Sequence, residues 1–499
     1  MSAGDLALTR DAQNGRLTGS TLNTVNDSWN YSGFGEAQSY VAAAGSTALY
    51  AMSFTRDHAG RISTKTETLG GVTSVYSYTY DAARGWLTDV SSNGLHTAHY
   101  DYDDNGNRTG ALTLDREVSY AAADGQDRIT GGTLAQPLQA AQKVSWSYTA
   151  NGEVAGRTVG TATTLYSYDV RGNLRDVTLT NGVRIEYLVD ATGRRLGRKV
   201  GGTLTQGWLY QDGLKPVAEL DGAGNVVSRF VYGGKANVPE YVVKNGTEYR
   251  LITDQLGSVR LVVNAADGSL AQRLDYDEFG RVLNDSNPGF QPFGYAGGLY
   301  DPDTGLVRFG ARDYDADAGR WMSKDPIGFS GGNNWYAYCG NDPINEIDLF
   351  GLSLNDINKL YTSSQDYVKE MTQDGLRINN GNLNNLLSTI QQLAKRYRLS
   401  NIKPYLGCGE QAAKLTEHLN GLETDDKWIF YYETDGTLIG IHQFIHAVSS
   451  NPNDPEVILD PWNNSYVDMG DLRGVDNGTL SDYSTSSQDS SDSNSDDSE

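Results

Sequence analysis

Residues 99–112 read HYDYDDNGNRTGAL, and this arrangement recurs along the first part of the chain. The alternation of tyrosine with polar residues is typical of a half-buried strand, and Asp-Asn-Gly provides the positive φ angle of a tight turn. An arginine and a second strand follow the turn. The stretch therefore predicts a β-hairpin, and this hairpin unit recurs about every 20 residues.

Related stretches share the order of an aromatic strand, a Tyr-Asp or similar pair, a glycine turn, an arginine and a second strand. They are SYTYDAARGWLTDV at 77–90, LYSYDVRGNLRDV at 165–177, EYLVDATGRRLGRKV at 186–200 and RLDYDEFGRVLND at 273–285. One hairpin cannot cover its own apolar face. Because of this, we expect neighbouring hairpins to join in one continuous sheet.

The composition also indicates a chain built mainly from short strands. Among 499 residues there are 57 glycines and 31 tyrosines but 12 prolines, and apolar residues make up 38%. This balance favours strands joined by glycine turns over helices or disorder. The length is too great for one core, so we expect at least two domains.

Charge and hydropathy limit the possible partners. A net charge of −23 argues against nucleic-acid binding by general electrostatic attraction. The serine- and aspartate-rich residues 483–499 predict a disordered acidic tail. No apolar stretch approaches the roughly 20 residues of a membrane span, and no signal peptide opens the sequence. If the protein is exported, we expect another segment or machine to carry it.

The hairpin phrases resemble the YD repeats of Rhs proteins, which are large bacterial polymorphic toxins related to insecticidal toxin complex C subunits and, more distantly, to teneurins. The resemblance implies that residues 1–295 form a mainly β YD-repeat strand spiral. In that family the spiral closes as a hollow shell around a C-terminal toxin. Family shells use many more repeats, so we expect this chain to be the C-terminal part of a larger protein.

A second motif follows the repeats. The phrases KDPIGFSGGNNWYAYCGNDP at 324–343 and DLFGL at 348–352 resemble the Rhs repeat-associated core, which we assign to residues 296–352. The resemblance implies that this core is an aspartyl protease that cleaves its own chain. The matching positions are the carboxylates Asp325 and Asp348, the assisting Arg312, and a cut between Leu352 and Ser353.

These residue types suit that chemistry. Two carboxylates held close together cannot both ionise easily, so one remains protonated as a general acid while the other activates water. A nearby guanidinium can hold charge and geometry in place. An alternative interpretation is that Asp325 and Asp348 cap turns in a rigid plug, which aspartates commonly do.

Behind the core the sequence changes character. Residues 353–482 lack the Tyr-Asp phrases, and LNNLLSTIQQLAKRYRL at 383–399 has the spacing of a core helix. Cys408 then begins a helical stretch, where the helix dipole and unpaired N–H groups favour a thiolate and can form an oxyanion hole. The stretch at 428–448 predicts two strands, with ETDGT at 433–437 as the turn between them.

The order of a helix with cysteine, a strand with histidine and a strand ending in aspartate is that of papain-like folds. The phrases HQF and ILDPW resemble bacterial papain-like toxin proteases of the Tox-PL type, which implies a small α+β domain at 353–482. By this resemblance Cys408 attacks a carbonyl, His442 transfers the proton and Asp460 orients the imidazole. His446 is an alternative base, because strand alternation places it on the same face as His442.

Other activities use the same residues. A transglutaminase or deamidase would use the same Cys, His and Asp on glutamine side chains. HQFIH also resembles the zinc-protease motif HExxH, with His442 and His446 as ligands, although Gln443 replaces the glutamate. The preferred interpretation needs no cofactor and no metal.

Together these features predict a secreted effector, made in the bacterial cytoplasm and delivered into a target cell. We expect it to cleave itself after Leu352 and to release a cysteine protease toxin against a competing bacterium or a host. By family analogy its partners are a type VI secretion apparatus that acts through a missing N-terminal part, a cognate immunity protein and a protein substrate. The alternative is a non-enzymatic repeat scaffold.

Overall fold

A computed structural model describes residues 2–33, 35–326 and 328–352, together with the backbone of strands at 428–437, 440–449, 457–460 and 465–468. The chain divides into two compact units between residues 358 and 359. The helices predicted near 383–399 and at Cys408, and the predicted tail 483–499, lie outside the described residues. Among the described residues, no helix has the length and hydropathy to cross a bilayer.

The first unit contains a sheet of 27 strands. The first fourteen strands are β1 Ser2–Ala3, β2 Leu6–Arg10, β3 Leu17–Leu22, β4 Val25–Tyr31, β5 Ala37–Ala44, β6 Thr47–Arg56, β7 Ile62–Leu69, β8 Val72–Tyr80, β9 Leu87–Ser92, β10 Leu95–Tyr102, β11 Arg108–Thr113, β12 Glu117–Tyr120, β13 Gly131–Ala135 and β14 Gln142–Tyr148. The others are β15 Val154–Val159, β16 Ala162–Tyr168, β17 Leu174–Thr178, β18 Arg184–Val189, β19 Arg195–Val200, β20 Thr203–Tyr210, β21 Pro216–Asp221, β22 Val226–Val231, β23 Tyr241–Lys244, β24 Thr247–Thr253, β25 Val259–Asn264, β26 Leu270–Tyr276 and β27 Val282–Asp285.

Every strand from β1 to β26 pairs antiparallel with the next strand in the chain, so the sheet is one long meander. Short connections of this kind need only the local hairpin signals that the sequence contains. No α-helix occurs in the described part of the first unit. The mainly β prediction for the repeats is therefore confirmed.

The repeat motif forms the turn of each hairpin in which it occurs. In the stretch that ends β10, the Asp103 carboxylate accepts hydrogen bonds from the backbone N–H groups of Asn105 and Asn107. Gly106 adopts φ +79° and donates its N–H to the Asp103 carbonyl oxygen. Aspartate satisfies the turn amides and glycine supplies the left-handed backbone, so both residue types are needed at these positions.

Seven repeat tyrosines join their strand to the one before it. A tyrosine at or next to the end of its strand donates its hydroxyl to a carbonyl oxygen near the start of the preceding strand, at 2.7 to 3.1 Å. The pairs are Tyr31 with Leu17, Tyr80 with Ile62, Tyr102 with Leu87, Tyr148 with Ile129, Tyr210 with Arg195, Tyr232 with Pro216 and Tyr276 with Val259. The recurring tyrosine thus forms a cross-strand hydrogen bond and also contributes apolar surface.

The sheet curls until its early strands meet its late strands. The Thr24 N–H donates to the Ala265 carbonyl oxygen at 3.0 Å, and Arg250 on β24 forms a 2.6 Å ion pair with Asp27 on β4. Tyr50 from β6 packs with Leu261 from β25 in one apolar cluster. This return buries the apolar faces that single hairpins leave open.

The segment after the sheet, residues 296–352, forms a compact body that we call the core segment. It has a small sheet of β28 Leu299–Tyr300, β29 Leu306–Phe309, β30 Arg312–Asp315 and β31 Arg320–Trp321. Three 3₁₀ turns also occur in this region, at Tyr295–Gly297, Gly328–Gly331 and Cys339–Asn341.

The core segment packs against the turn ends of the hairpins. Asn341 donates to the Gly106 carbonyl oxygen at 2.9 Å, and the Tyr336 hydroxyl donates to that of Gly152 at 2.6 Å. Buried aromatic side chains fill its interior; they include Phe309, Tyr314, Trp321 and Tyr338. The repeat turns therefore form the surface against which the core segment packs, and they fix its position.

The described part of the second unit is a four-stranded antiparallel sheet, whose strands are β32 Trp428–Thr437, β33 Gly440–Ser449, β34 Val457–Asp460 and β35 Ser465–Asp468. The prediction that ETDGT forms the turn is wrong, because β32 continues through it and Asp435 pairs with His442. Ten continuous pairs with β33 outweigh the local preference of Asp-Gly for a turn.

Candidate active site

The candidate site lies where three parts of the core segment meet. Arg312 is the first residue of β30, Asp325 follows β31, and Asp348 follows the last 3₁₀ turn. All three side chains are buried, with exposed fractions of 3%, 6% and 3%. The structure thus brings together the three residues that the sequence predicted as a site.

The Arg312 guanidinium lies between the two carboxylates. Its Nη2 atom is 2.7 Å from Oδ2 of Asp325 and 3.2 Å from Oδ2 of Asp348. One cation therefore faces two carboxylates in a site closed to solvent. Since the shorter contact is with Asp325, the guanidinium stabilises the ionised form of that residue more strongly.

The protonation of Asp348 differs from that of an ordinary carboxyl group. Burial raises the pKa of Asp348 to about 7, and the neighbouring Asp325 contributes to the rise. Arg312 and the N–H groups of Gly351 and Leu352 act in the opposite direction and limit the shift. At neutral pH a large fraction of Asp348 therefore keeps its proton and can act as an acid.

The predicted cleavage point is held in the same place. Arg312 donates from Nε to the Gly351 carbonyl oxygen at 2.7 Å and from Nη2 to the Leu352 carbonyl oxygen at 3.3 Å. The Leu352 N–H donates to Oδ1 of Asp348 at 3.1 Å. Leu352, on the N-terminal side of the predicted cut, is thus bound by Asp348 through its N–H group and by Arg312 through its carbonyl oxygen.

A glycine allows the last residues of the core segment to approach β29 and β30 closely. Gly310 has φ +38°, and a Cβ atom there would lie 2.2 Å from the Phe350 carbonyl oxygen. That oxygen accepts the N–H of Ala311 at 2.7 Å. Only glycine at position 310 leaves space for Phe350 and so for the following Leu352 beside Arg312.

Sequence reasoning missed two tryptophans that support the arginine. The Arg312 guanidinium carbon lies 4.1 Å from the ring centroid of Trp321, a cation–π contact. The Trp335 carbonyl oxygen accepts both Nη1 of Arg312 at 3.2 Å and the N–H of Asp325 at 3.1 Å. Trp335 lies within the motif at 324–343 and Trp321 lies three residues before it, but no local spacing reveals which side chain they contact.

Cys339 is a buried free thiol in the core segment. Burial raises its pKa well above the ordinary value, and the negative charge of Asp348 adds to the effect. A thiol that resists ionisation is a poor nucleophile. Cys339 is therefore not among the candidate nucleophiles.

The residues predicted for the second site are only partly described. Cys408 lies outside the described residues. His446 pairs with Ile458, and Ile445 pairs with Leu459. Continued by one residue, this register would place Asp460 opposite Phe444, midway between His442 and His446, so the backbone leaves the choice of base open.

We compared the chain with known proteins. A family model described as the teneurin YD-shell matches residues 1–344. The chain belongs to the teneurin YD-shell family. The YD-repeat prediction is thereby confirmed, whereas the narrower assignment to Rhs toxins stays a prediction.

Individual relatives of this YD-shell chain include vertebrate teneurins. Teneurin-3 from Danio rerio is 28% identical over 331 residues and teneurin-4 from Homo sapiens is 29% identical over 328 residues, each covering 62% of this chain. The chain spans 12% and 11% of the lengths of these two relatives. The Escherichia coli (strain K12) protein YlbH is 38% identical over 130 residues, which are 24% of this chain and 55% of YlbH.

A solved structure also resembles the YD-shell chain. The Photorhabdus luminescens Tc holotoxin pore with a mutation in TccC3 has a TM-score of 0.45 and 15% identity. The likeness covers 70% of this chain and 21% of the holotoxin chain.

Proposed function

We propose that the YD-shell unit cleaves its own backbone between Leu352 and Ser353 and so releases the residues behind it. The observation that carries this proposal is the position of Arg312, which contacts Asp325, Asp348 and the carbonyl oxygens of Gly351 and Leu352. A purely structural plug needs no second buried carboxylate around one arginine, and ionising both is costly. The arrangement suits an aspartyl protease acting on its own chain.

The proposed reaction divides the two carboxylates into a base and an acid. Asp325 takes a proton from a water molecule, whose oxygen adds to the Leu352 carbonyl carbon, and Arg312 stabilises the negative oxygen that forms. The C–N bond to Ser353 breaks as Asp348 gives its proton to the nitrogen. The products are a carboxyl group on Leu352 and an amino group on Ser353.

Intact-mass analysis under denaturing conditions tests this proposal. We expect the wild-type chain to appear as two pieces, split between Leu352 and Ser353, and the variants Asp325→Asn and Asp348→Asn to stay whole. Asp303→Asn is the matched control, since Asp303 is a half-exposed aspartate of the same core segment. An uncut wild-type chain, or cleavage that persists in both variants, would contradict the proposal.

We further propose that the released domain is a cysteine protease that uses Cys408, His442 and Asp460. Its support is the motif order in the sequence, together with a described sheet in which Asp460 ends the strand next to that of the histidines. The same residues would serve a transglutaminase or deamidase. Zinc chemistry through His442 and His446 is a further candidate.

Expression of residues 353–499 in a bacterial cytoplasm separates these activities. For a cysteine protease we expect growth arrest in the wild type and none with Cys408→Ala, while His442→Ala and His446→Ala identify the base. Mass spectrometry of host proteins then distinguishes backbone cuts from changed glutamine side chains. Toxicity that survives Cys408→Ala but is lost with His442→Ala and His446→Ala would favour a zinc protease instead.

In this scheme the protein is a secreted effector whose shell carries an enzyme that it has already cut free. A secretion apparatus, an immunity protein and a protein substrate in the target cell would be its partners. The alternative is a repeat scaffold without enzymatic activity. A chain that neither cuts itself nor arrests growth would favour the scaffold.

A further inference from the structure

A cluster of metal-binding side chain types lies on β9 and β10, in the repeat sheet. One oxygen of Asp89 is 2.7 Å from Nδ1 of His99 and 3.1 Å from Nε2 of His96. One ligand atom from each residue lies within 4.8 Å of the others. Among the residues that the structure describes, no other group of this kind occurs.

An irregularity in the strand pairing creates the cluster. Residues three apart on a strand normally point to opposite faces, which would separate His96 from His99. Here the register shifts between His96 and Ala98, so Thr97 is an extra residue in the ladder. This bulge turns both imidazoles to the face of Asp89, which is the cross-strand partner of His99.

The cluster faces solvent, and its strand is anchored from the other side. Ala98 and Tyr100 of the same strand are buried in an apolar core cluster. The side chains of His96, His99 and Asp89 are 51%, 38% and 35% exposed. A cation can therefore reach the cluster without any opening of the fold.

A fourth residue fixes the orientation of one histidine. Oδ1 of Asp101 lies 3.1 Å from Nε2 of His99, the ring nitrogen that does not face Asp89. Without a cation, Nδ1 donates its proton to Asp89. When a cation displaces that proton, a proton kept on Nε2 leaves the Nδ1 lone pair free for the cation. In metal sites of proteins, a carboxylate commonly accepts a hydrogen bond from the ring nitrogen that does not bind the metal, and this sets the tautomer of the histidine. Gly110 stands opposite Asp101 in the ladder and leaves room for its carboxylate.

We propose that Asp89, His96 and His99 form a binding site for a late first-row divalent cation, with Zn²⁺ as the expected ion. The ligand atoms would be a carboxylate oxygen, Nε2 of His96 and Nδ1 of His99, with Asp101 as the positioning residue. This proposal is independent of the autoproteolytic function, since none of these residues contacts the Arg312 site.

The ligand atoms would move relative to one another when an ion binds. Bonds of 2.0 to 2.2 Å to a tetrahedral Zn²⁺ place neighbouring ligand atoms about 3.3 Å apart. The pairs at 2.7 and 3.1 Å would open by up to about half an ångström to admit the ion. The ligand atoms of the two histidines, which lie within 4.8 Å of one another, would adjust to the same separation. Three protein ligands leave a fourth position, which water or a group from another molecule would occupy. Two imidazoles and one carboxylate suit Zn²⁺ better than Ca²⁺ or Mg²⁺, which prefer oxygen ligands alone.

Titration of the purified full chain with Zn²⁺ against a chromophoric chelator tests the site. We expect one binding site to be lost in His96→Gln and in His99→Gln, and Asp101→Asn to weaken the same site about 10- to 100-fold. Bound Co²⁺ should give the visible d–d absorption of a low-coordinate site in the wild type and lose it in the two histidine variants. His58→Gln is the matched control, because His58 lies in a turn of the same sheet outside the cluster.

The same titration of a His442→Gln, His446→Gln double variant distinguishes this site from zinc binding in the second unit. We expect the double variant to keep the Zn²⁺ site on β9 and β10. Thermal unfolding checks that every variant remains folded. The proposal is overturned if the wild type does not bind Zn²⁺, or if His96→Gln and His99→Gln bind it with unchanged stoichiometry and affinity.

Discussion

At the scale of single residues, the protonation of Asp348 controls the proposed cleavage. The pKa of Asp348 is raised from the ordinary 3.8 to about 7, mainly by burial. In the proposed reaction this residue must hold a proton, so its active fraction is near full below pH 7 and falls above it. We expect the cleavage rate to decrease about tenfold per pH unit above this value.

The cleavage rate can be measured on uncut chain that is recovered in denaturant. This chain is diluted into buffers below and above pH 7 to start folding. The fraction cut over time on denaturing gels gives the rate at each pH, and circular dichroism checks that folding is equally complete. A rate that is flat or rises as the pH passes 7 would show that Asp348 does not act as the acid.

The close approach at Gly310 leads to a second prediction at this scale. In Gly310→Ala the new Cβ would lie 2.2 Å from the Phe350 carbonyl oxygen, a backbone atom that cannot give way cheaply. Residues 350–352 would shift from Arg312, and a displacement near 1 Å can slow an enzyme about 100-fold. We expect Gly310→Ala to cleave itself at least this much more slowly.

Gly305→Ala is the matched control for this effect. Gly305 also has a positive φ, +72°, but open space where its Cβ would be. Both variants therefore carry backbone strain, and only Gly310→Ala carries the clash. Equal cleavage rates in the two variants would show that the position of Phe350 does not affect the reaction.

At the scale of elements, the tyrosine hydrogen bonds between successive strands contribute to the free energy of unfolding of the sheet. The Tyr102 hydroxyl donates to the Leu87 carbonyl oxygen at 2.9 Å. We expect Tyr102→Phe to lower the free energy of unfolding by about 1 kcal/mol. In a unit of this size the melting temperature should fall by about 2 °C or less.

A tyrosine at the equivalent position provides the control. Tyr168 ends β16, but its buried hydroxyl has no hydrogen-bond partner. Because an unpaired buried hydroxyl costs free energy, Tyr168→Phe should leave stability unchanged or raise it. Thermal unfolding in an uncut Asp348→Asn background measures both variants. Equal destabilisation would show that ring packing and not the hydroxyl bond matters.

At the scale of the whole first unit, buried ion pairs hold the early strands to the late strands. Arg250 on β24 contacts Asp27 on β4 at 2.6 Å and Glu240 at 2.7 Å, and all three side chains are at most 4% exposed. Without Asp27, Glu240 would be the counter-ion of both Arg250 and Lys235, which leaves one positive charge in excess at a buried site. Such an uncompensated charge is costly. We expect Asp27→Asn to destabilise the unit by about 3 kcal/mol.

Chemical denaturation of the uncut chain gives this value. Asp104→Asn is the control, since Asp104 pairs with Arg84 at 2.8 Å but its side chain is 99% exposed. An exposed pair contributes at most about 1 kcal/mol. If Asp27→Asn costs no more than Asp104→Asn, the buried pair does not hold the curled sheet together.

The hairpins could be predicted from the sequence because their signals are local. Asp103 satisfies N–H groups only two and four residues away, and Gly106 supplies the left-handed turn between them. Alternating tyrosines then define the buried face of each strand. The core motif likewise identified Asp325, Asp348 and Arg312 as candidates, since residue types and spacing are read along the chain.

The rest depended on contacts between distant residues, which local patterns do not specify. Asp27 and Arg250 meet across 223 positions, and Arg312 reaches the Leu352 carbonyl across 40. The bulge at Thr97 reverses the alternation that would keep His96 and His99 apart. Local chemistry thus determined the repeating hairpins and the identity of the candidate residues. Only the tertiary structure decided which charges and carbonyl groups share a buried site, because burial and strand register arise from the packing of the whole sheet.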